Sequence, residues 1–266
     1  MIKLIVTDVD GTLVEDGSSN LNPEYKVVIK KLLEQGICFV VASGRQYTSI
    51  KKLFGEIADH LWYITEGGTV IIRKDEILHV DALPDHYVKE LVEDVHRLED
   101  CDALICGQLK AYVPCEGSKM HLWMKNDYGY DIEPLGGWDQ LPEEKVVKVS
   151  VYHPSDAEGV TKEWFVPKWS PHVKISCAGH WWMDCIKPGV DKGSAVRRIQ
   201  EIIGVTPEET MVFGDNLNDV EMLQSAKYSY AVANAREEAK QAANYIADSY
   251  QKNGVLQEIK KLLQHE

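Results

Sequence analysis

Short apolar runs alternate with amphipathic stretches over the first quarter of the chain. The runs at residues 3–7, 37–42 and 61–65 are rich in β-branched side chains and have the length of strands buried on both faces. Apolar residues recur at i, i+3, i+4, i+7 and i+8 over residues 25–33, which predicts a helix with one buried stripe. A weaker helical pattern covers residues 46–54. Strands that alternate with helices in this way predict a parallel, doubly wound sheet.

The pattern of the middle third is different. Two short apolar runs, at residues 70–72 and 77–80, flank a polar turn and predict a β-hairpin. Amphipathic helices are predicted over residues 84–98 and near residues 155–165. This part of the chain therefore reads as an α+β module of its own. Its short strand candidates, interrupted by a Gly- and aromatic-rich stretch near 126–140, are residues 102–106, 109–113, 146–152, 173–177 and 181–186.

The strand and helix alternation returns near residue 185. A helix is predicted from Lys192 to Gly204, followed by a buried strand at residues 210–213 and by helices near 217–226, 235–243 and 254–264. The predicted fold class is thus α/β, with a doubly wound parallel-sheet (Rossmann-like) core and an inserted α+β domain. The predicted core domain comprises residues 1–81 and 185–266, and the predicted inserted domain comprises residues 82–184.

Charge and cysteine content narrow the possible function classes. The formal net charge is −13, from 42 acidic and 29 basic residues, so the sequence lacks the basic surface of a nucleic-acid-binding or membrane-surface protein. The six cysteines form no C-x-x-C pair, and the longest apolar run is too short to span a bilayer. We therefore expect a cytoplasmic protein with reduced thiols that binds neither nucleic acid nor a membrane.

Two aspartates follow directly after the first predicted strand. Asp8 and Asp10 are two residues apart, so they share one face of an extended chain at the carboxyl end of a strand, where open α/β sheets bind ligands. Two neighbouring carboxylates repel each other, and keeping both ionised requires a cation such as Mg²⁺, which takes oxygen ligands. Gly11 permits the sharp exit of the backbone. Taken alone, this fragment fits an acidic turn without function equally well.

Two further motifs could bind a phosphate group. Ser43-Gly44-Arg45 follows the second predicted strand, where a hydroxyl and backbone N–H groups can face an anion. A plain turn with Ser43 as helix cap is the simpler interpretation of this tripeptide by itself. Lys192 precedes Gly193 at the start of a predicted helix, and its compact charge could neutralise a phosphate and a carboxylate together. Most lysines at helix starts are solvated, although the helix dipole disfavours a cation there.

A fourth motif follows the predicted strand at residues 210–213. Two carboxylates, Asp215 and Asp219, and two amides, Asn216 and Asn218, lie within six residues. A helix cap with acidic residues in the first turn would account for one aspartate but not for the whole set. All four motifs lie at the carboxyl ends of predicted parallel strands, so one crevice can gather them.

In this order and at these spacings, the four motifs resemble those of the haloacid dehalogenase superfamily. The similarity is to its Cof-type, sugar-phosphatase-like branch, which carries a large C2-type α/β cap after the second motif. The resemblance covers essentially the whole chain and implies a cap that closes over the carboxyl ends of the core strands. It also implies Mg²⁺-dependent hydrolysis of a small phosphomonoester, with a sugar phosphate as the leading candidate. The matching segments are Asp8–Leu13, Ser43–Arg45, Lys192-Gly193 and Gly214–Asp219.

The resemblance also implies a role for each motif residue. Asp8 would be the nucleophile that attacks phosphorus, and Asp10 would be the general acid and base. Mg²⁺ would be held by the carboxylate of Asp8, the backbone carbonyl of Asp10 and Asp215. Asp219 would support Lys192 or a water molecule on the metal. The phosphate oxygens would be held by Ser43, the Gly44 N–H, Lys192 and Asn218.

Two other functions could use the same motifs. A phosphotransferase or phosphomutase would form the same intermediate on Asp8 and pass the phosphoryl group to another alcohol. A non-enzymatic phosphosugar sensor would have lost a catalytic group, whereas this chain retains every motif residue. The expected partner is a small phosphorylated metabolite, bound by a monomer or a small homo-oligomer.

Overall fold

The computed structural model describes residues 1–178 and 180–265 of the 266-residue chain. Its strands are β1 (Leu4–Thr7), β2 (Cys38–Ala42), β3 (Trp62–Thr65), β4 (Val70–Arg73), β5 (Glu76–Val80), β6 (Asp102–Cys106), β7 (Ala111–Val113), β8 (Ile132–Pro134), β9 (Lys148–Tyr152), β10 (Lys174–Ala178), β11 (Trp182–Ile186), β12 (Thr210–Gly214), β13 (Tyr228–Val232) and β14 (Tyr245–Ala247).

The α-helices are α1 (Glu24–Glu34), α2 (Tyr47–Phe54), α3 (Asp85–His96), α4 (Lys119–Asn126), α5 (Ala157–Val160), α6 (Val166–Trp169), α7 (Lys192–Ile203), α8 (Val220–Leu223), α9 (Glu237–Ala242) and α10 (Gly254–His265). A π-helical segment, Thr161–Phe165, joins α5 to α6, and a 3₁₀ turn, Leu217–Asp219, precedes α8. Within the described residues, no helix has both the length and the apolar character needed to cross a membrane.

Eight strands form one sheet in the order β14-β13-β12-β1-β2-β3-β4-β5. Each neighbouring pair from β14 to β3 is parallel, and β4 runs antiparallel to β3. Both β1 and β12 are buried along their whole length, as their uninterrupted apolar runs require. The predicted α/β class with a parallel-sheet core is confirmed.

The order in which the chain adds strands to the sheet reverses at β1. On one side of β1 lies β2, the next strand of the chain, and on the other side lies β12, which the chain reaches only after the inserted segment. Thr7, the last residue of β1, pairs with Val41 and with Phe213. The segments that leave β1, β2 and β12 therefore emerge together, at the kind of switch point where open α/β sheets bind ligands.

The described chain divides into two compact units. One consists of Met1–His79 together with the segment from Asp191 onward, and the other is Val80–Val190. The second unit has its own sheet, in the order β10-β11-β9-β6-β7-β8, and its own core, in which α3 and Trp169 pack with the inward-facing residues of the strands. These limits differ by a few residues from the predicted boundaries at 82 and 184. The division into a core domain, residues 1–81 and 185–266, and an inserted cap domain, residues 82–184, stays a prediction.

Two strands at one end of the large sheet, β13 and the edge strand β14, have no counterpart in the sequence prediction. In β13 the fully buried residues are Ser229, Ala231 and Val232, whereas Tyr228 and Tyr230 are only partly buried. Tyr230 stacks between Phe213 and Tyr245, with ring centroids 5.1 and 5.0 Å apart. A buried serine between partly exposed tyrosines produces no apolar run, so periodicity did not indicate β13 and β14.

The turn after β3 contains two glycines, Gly67 and Gly68, which have different structural roles. Gly68 has φ +111°, and a Cβ atom there would lie 2.3 Å from the carbonyl carbon of Asp191, directly before Lys192. Gly67 also has a positive φ of +75°, but its Cβ would meet nothing within 4 Å. Only Gly68 is therefore needed for a close approach of two backbone segments.

We predict that Gly68→Ala is much more destabilising than Gly67→Asn. The alanine combines an unfavourable φ with backbone overlap and should lower the free energy of unfolding by about 2 kcal/mol or more. Asparagine tolerates the left-handed region, so Gly67→Asn should cost less than about 1 kcal/mol. Urea denaturation of both variants tests this difference, and equal losses would contradict it.

Candidate active site

The register between β1 and β12 places the first and fourth motifs side by side. The N–H of Asp8 donates to the carbonyl of Phe213 at 2.9 Å, so Asp8 leaves the sheet beside the strand that leads to Asp215. Gly11, in the turn that follows, has φ +78°. A Cβ at Gly11 would lie 2.2 Å from Oδ2 of Asp215, so a side chain there would displace that carboxylate.

Three carboxylates form a compact cluster at this point. Asp8, Asp215 and Asp219 each offer an oxygen atom within 4.8 Å of the others. Asp8 is 4% exposed and Asp219 is fully buried. Thr12 donates its hydroxyl to Oδ1 of Asp215 at 3.2 Å. By contrast, Oδ2 of Asp8 is buried and has no hydrogen-bond partner in the described part of the chain.

Lys192 neutralises part of the cluster. Its Nζ donates to Oδ1 of Asp8 at 2.6 Å and to Oδ1 of Asp219 at 2.7 Å, and the side chain is 1% exposed. Lys192 is the first residue of α7, where the helix dipole disfavours a cation. Asp191 caps the helix by accepting the N–H of Ser194 at 2.7 Å. The two carboxylates outweigh the dipole because they contact the ammonium directly in a buried setting.

Asp219 also holds the loop of the fourth motif. Its Oδ2 accepts the N–H of Asp215 at 2.9 Å and the N–H of Asn216 at 3.0 Å, while its Oδ1 accepts from Lys192. These bonds close a tight turn between β12 and the 3₁₀ segment. Asp219 therefore positions both Asp215 and Lys192.

Burial and crowding shift the ionisation of the cluster. Burial raises the pKa of Asp8 well above its ordinary value, against the opposing effect of Lys192. Burial, with the charge of Asp219, raises the pKa of Asp215 to about 7. Burial alone would lower the pKa of Lys192, but Asp219 and Asp8 raise it above its ordinary value. One ammonium thus faces three carboxylates, so the cluster has a deficit of positive charge.

The donor set suits a hard divalent cation. All candidate ligands are oxygen atoms, and Mg²⁺ prefers oxygen ligands. The buried, unpartnered Oδ2 of Asp8 is an atom that such a cation would satisfy. The residues present therefore fit a magnesium ion.

The predicted phosphate-binding residues lie at the ends of the neighbouring strands. Ser43 directly follows β2, is fully buried and accepts the N–H of Arg45 at 3.1 Å through its Oγ. Gly44 is the next residue in the same turn. Asn218 is exposed on the 3₁₀ segment that leads into α8. That these three residues bind phosphate stays a prediction.

Asp10 pairs with Arg45, a residue for which the sequence predicts no specific role. Its side chain does not belong to the cluster of three carboxylates. Instead, Arg45 donates from Nε to Oδ2 of Asp10 at 2.8 Å and from Nη2 to Oδ1. Arg45 is part of the second motif, but nothing in the local sequence indicates that its side chain reaches the end of the neighbouring strand.

Comparisons with known proteins agree with this geometry. A sequence model described as haloacid dehalogenase-like hydrolase matches residues 5–259. The chain is 31% identical to the 5-amino-6-(5-phospho-D-ribitylamino)uracil phosphatase YbjI of Escherichia coli over 267 residues, which covers 100% of the chain and 97% of that protein. A Bacillus subtilis protein with the same enzyme name, YcsE, is 25% identical and covers 97% of the chain, with 95% of its own length aligned.

A solved structure shows the same fold. A crystal structure of an Eubacterium rectale protein is 39% identical, covers 98% of the chain and 99% of its own, and superimposes with a TM-score of 0.90.

We predict that Lys192→Met destabilises the protein strongly when a chelator is present. The change leaves Asp8 and Asp219 buried without their shared cation, which should lower the free energy of unfolding by about 3 kcal/mol or more. Lys89→Met, on an exposed face of α3, serves as the matched control and should change stability by less than about 0.5 kcal/mol. Urea denaturation measures both, and similar losses would show that the buried ion pairs are not important for stability.

We predict that the metal-free protein becomes less stable as the pH rises and that Mg²⁺ stabilises the protein more at high pH than at low pH. The pKa of Asp215 rises from an ordinary value of 3.8 to about 7 on folding, so its contribution to stability is full below about pH 4 and is lost as the pH rises through 7. Without a divalent cation, the melting temperature should therefore fall between about pH 5 and pH 8. Mg²⁺ should raise it more at the higher pH, because the ion competes with protons for the carboxylates.

The control for this prediction is Asp215→Asn, in which the pH dependence of the Mg²⁺ effect should be much weaker. Thermal melting with Mg²⁺ and with a chelator is the measurement. An equal stabilisation by Mg²⁺ at both pH values would contradict the linkage of the ion to Asp215.

Proposed function

Since the chain belongs to the haloacid dehalogenase-like hydrolase family and is a phosphatase, we propose that it hydrolyses a small phosphomonoester through an aspartyl-phosphate on Asp8. The observation that carries this proposal is the state of the Asp8 carboxylate. Its Oδ1 accepts from Lys192 at 2.6 Å, whereas its Oδ2 is buried and has no hydrogen-bond partner among the residues that the structure describes. A nucleophilic oxygen needs such a free lone pair beside a fixed cation.

The reaction would proceed in two displacements. In the first, a carboxylate oxygen of Asp8 bonds to phosphorus, the bond from phosphorus to the substrate alcohol breaks, and Asp10 donates a proton to the departing oxygen. In the second, a water oxygen bonds to phosphorus, Asp10 takes its proton, and the bond from phosphorus to Asp8 breaks. Phosphate monoester hydrolysis is extremely slow without a catalyst, and division into two displacements makes each step easier.

Asp8, the backbone carbonyl of Asp10 and Asp215 would hold Mg²⁺. The ion would supply the positive charge that the three-carboxylate cluster lacks, favouring ionised Asp8 and offsetting charge on the phosphoryl oxygens. Lys192 supplies a second, fixed positive charge. The overall charge of −13 would repel an anionic substrate, so a local reversal of the field is required at this site.

The remaining phosphate contacts would come from groups at the ends of β2 and β12. Ser43 and the N–H of Gly44 can donate to phosphate oxygens from the turn after β2, as donors in strand-to-helix turns commonly do. Asn218 can donate from the exposed 3₁₀ segment, and Lys192 can bridge Asp8 and the phosphate. These groups orient the phosphorus for in-line attack.

The substrate class that we propose is a phosphate ester of a sugar or sugar alcohol. Two relatives that align over nearly their whole length carry the name of a phosphatase for 5-amino-6-(5-phospho-D-ribitylamino)uracil, in which the phosphate is on a ribityl chain. That compound and simple sugar phosphates are therefore the first substrates to test.

We predict that Asp8→Asn abolishes turnover and that Asp10→Asn reduces it. An amide at position 8 cannot act as the nucleophile, so kcat should fall by about 10⁴-fold or more. Loss of the general acid and base should lower kcat by about 10²- to 10⁴-fold. The measurement is phosphate release from a panel of phosphorylated sugars and sugar alcohols with Mg²⁺.

Asp100→Asn is the matched control, because Asp100 is an exposed residue with φ +60°, a conformation that asparagine also adopts. This variant should retain full activity. Substantial turnover by a folded Asp8→Asn variant would refute the covalent mechanism.

A further inference from the structure

Arg45 is a buried cation whose guanidinium group is directed at Asp10. Its side chain is 6% exposed, and it contacts both carboxylate oxygens, from Nε to Oδ2 at 2.8 Å and from Nη2 to Oδ1. A guanidinium group fits this two-point pairing, and an ammonium does not. Arg45 therefore restrains the plane of the Asp10 carboxylate as well as its position.

Both partners of this pair are anchored by the neighbouring backbone. The N–H of Arg45 donates to Oγ of Ser43 at 3.1 Å, and Nη2 of Arg45 also donates to the carbonyl of Ser18 at 3.1 Å. On the opposite side, the N–H of Gly17 donates to Oδ1 of Asp10 at 3.0 Å. The carboxylate is thus held between the turn after β2 and the loop after β1.

The two oxygens of Asp10 differ in their remaining capacity. Each carboxylate oxygen has about two lone-pair sites. Oδ1 accepts from Gly17 and from Arg45, so both of its sites are used, whereas Oδ2 accepts, among the described residues, only from Nε of Arg45. The Asp10 side chain is 24% exposed, so a reacting group can reach it.

We propose that Arg45 is a positioning residue that holds Asp10 so that Oδ2 transfers the proton in both displacements. This inference rests on the proposed role of Asp10 as acid and base. In the first displacement, the proton on Oδ2 passes to the alkoxide oxygen as its bond to phosphorus breaks. In the second, a water proton passes to Oδ2 while the water oxygen bonds to phosphorus and Asp8 departs. Arg45 and the Gly17 N–H keep their bonds throughout.

The test separates the two displacements. The leaving group of p-nitrophenyl phosphate departs without a proton, whereas an alkyl phosphate needs one. With Arg45→Lys and p-nitrophenyl phosphate, the pre-steady-state burst of nitrophenolate should stay within about threefold of the unmodified protein, while steady-state turnover should fall about 10²-fold. With an alkyl phosphate, the first turnover itself should slow by about 10²-fold with little change in KM.

Three further variants make the result specific. Asp10→Asn should give the same pattern as Arg45→Lys, and the double variant should be no slower than Asp10→Asn alone, because both changes remove one function. Arg45→Gln is measured in parallel, with thermal melting of each variant, so that the test does not depend on one variant folding. Arg97→Lys, at an arginine whose side chain is 68% exposed, is the matched control and should behave like the unmodified protein.

Two results would overturn the inference. A burst that slows as much as steady-state turnover, or a raised KM with unchanged kcat, would mean that Arg45 binds phosphate rather than positions Asp10. Losses that multiply in the double variant would mean that the two residues act independently. If Asp8→Asn is inactive and Arg45→Lys is fully active, only this inference fails; if Asp8→Asn turns over, the proposed function itself fails.

Discussion

The site depends on one buried ammonium group placed among three carboxylates. Lys192 contacts Asp8 and Asp219 within 2.7 Å, and the Asp215 carboxylate lies in the same cluster. A buried cation without these partners would be strongly destabilising, and so would the buried carboxylates without the cation. Burial, together with the neighbouring carboxylates, raises the pKa of Asp8 and of Asp215, and the excess of carboxylates leaves the cluster short of positive charge. The same shortage is the reason why we propose a divalent cation at this cluster.

The sheet topology makes this arrangement possible. Asp8 and Lys192 are 184 residues apart in the chain and meet because β1 and β12 are adjacent parallel strands, with α7 immediately preceding β12 in the chain. The inserted segment enters and leaves at the connection between β5 and α7, so it does not interrupt the central strands. Close backbone approaches at Gly11 and Gly68 bring the turns near enough for the side chains to touch.

Much of the fold could be predicted from the sequence. The runs that became β1, β2 and β12 are recognisable because these strands are buried on both faces, and the stripe that became α1 is recognisable because the helix is buried along one face. Strands β13 and β14 were missed because tyrosines at partly exposed or exposed positions interrupt their apolar pattern, and these rings stack across neighbouring strands. The α/β class follows from the alternation of strands and helices, whereas the family and the phosphatase activity follow from the resemblance of four short motifs, because phosphoryl transfer needs particular residue types at strand ends.

By itself, the sequence determined which residue types are available at each strand end and, through their spacing, the family. Only the tertiary structure decided which of these residues touch. Arg45 pairs with Asp10, and Lys192 is shared between Asp8 and Asp219. These are contacts between side chains on different strands and loops, and among the described residues they leave Oδ2 of Asp8 without a hydrogen-bond partner. Local periodicity carries no information about such contacts, because they depend on strand order, register and the low polarity of the interior, which exist only in the folded chain.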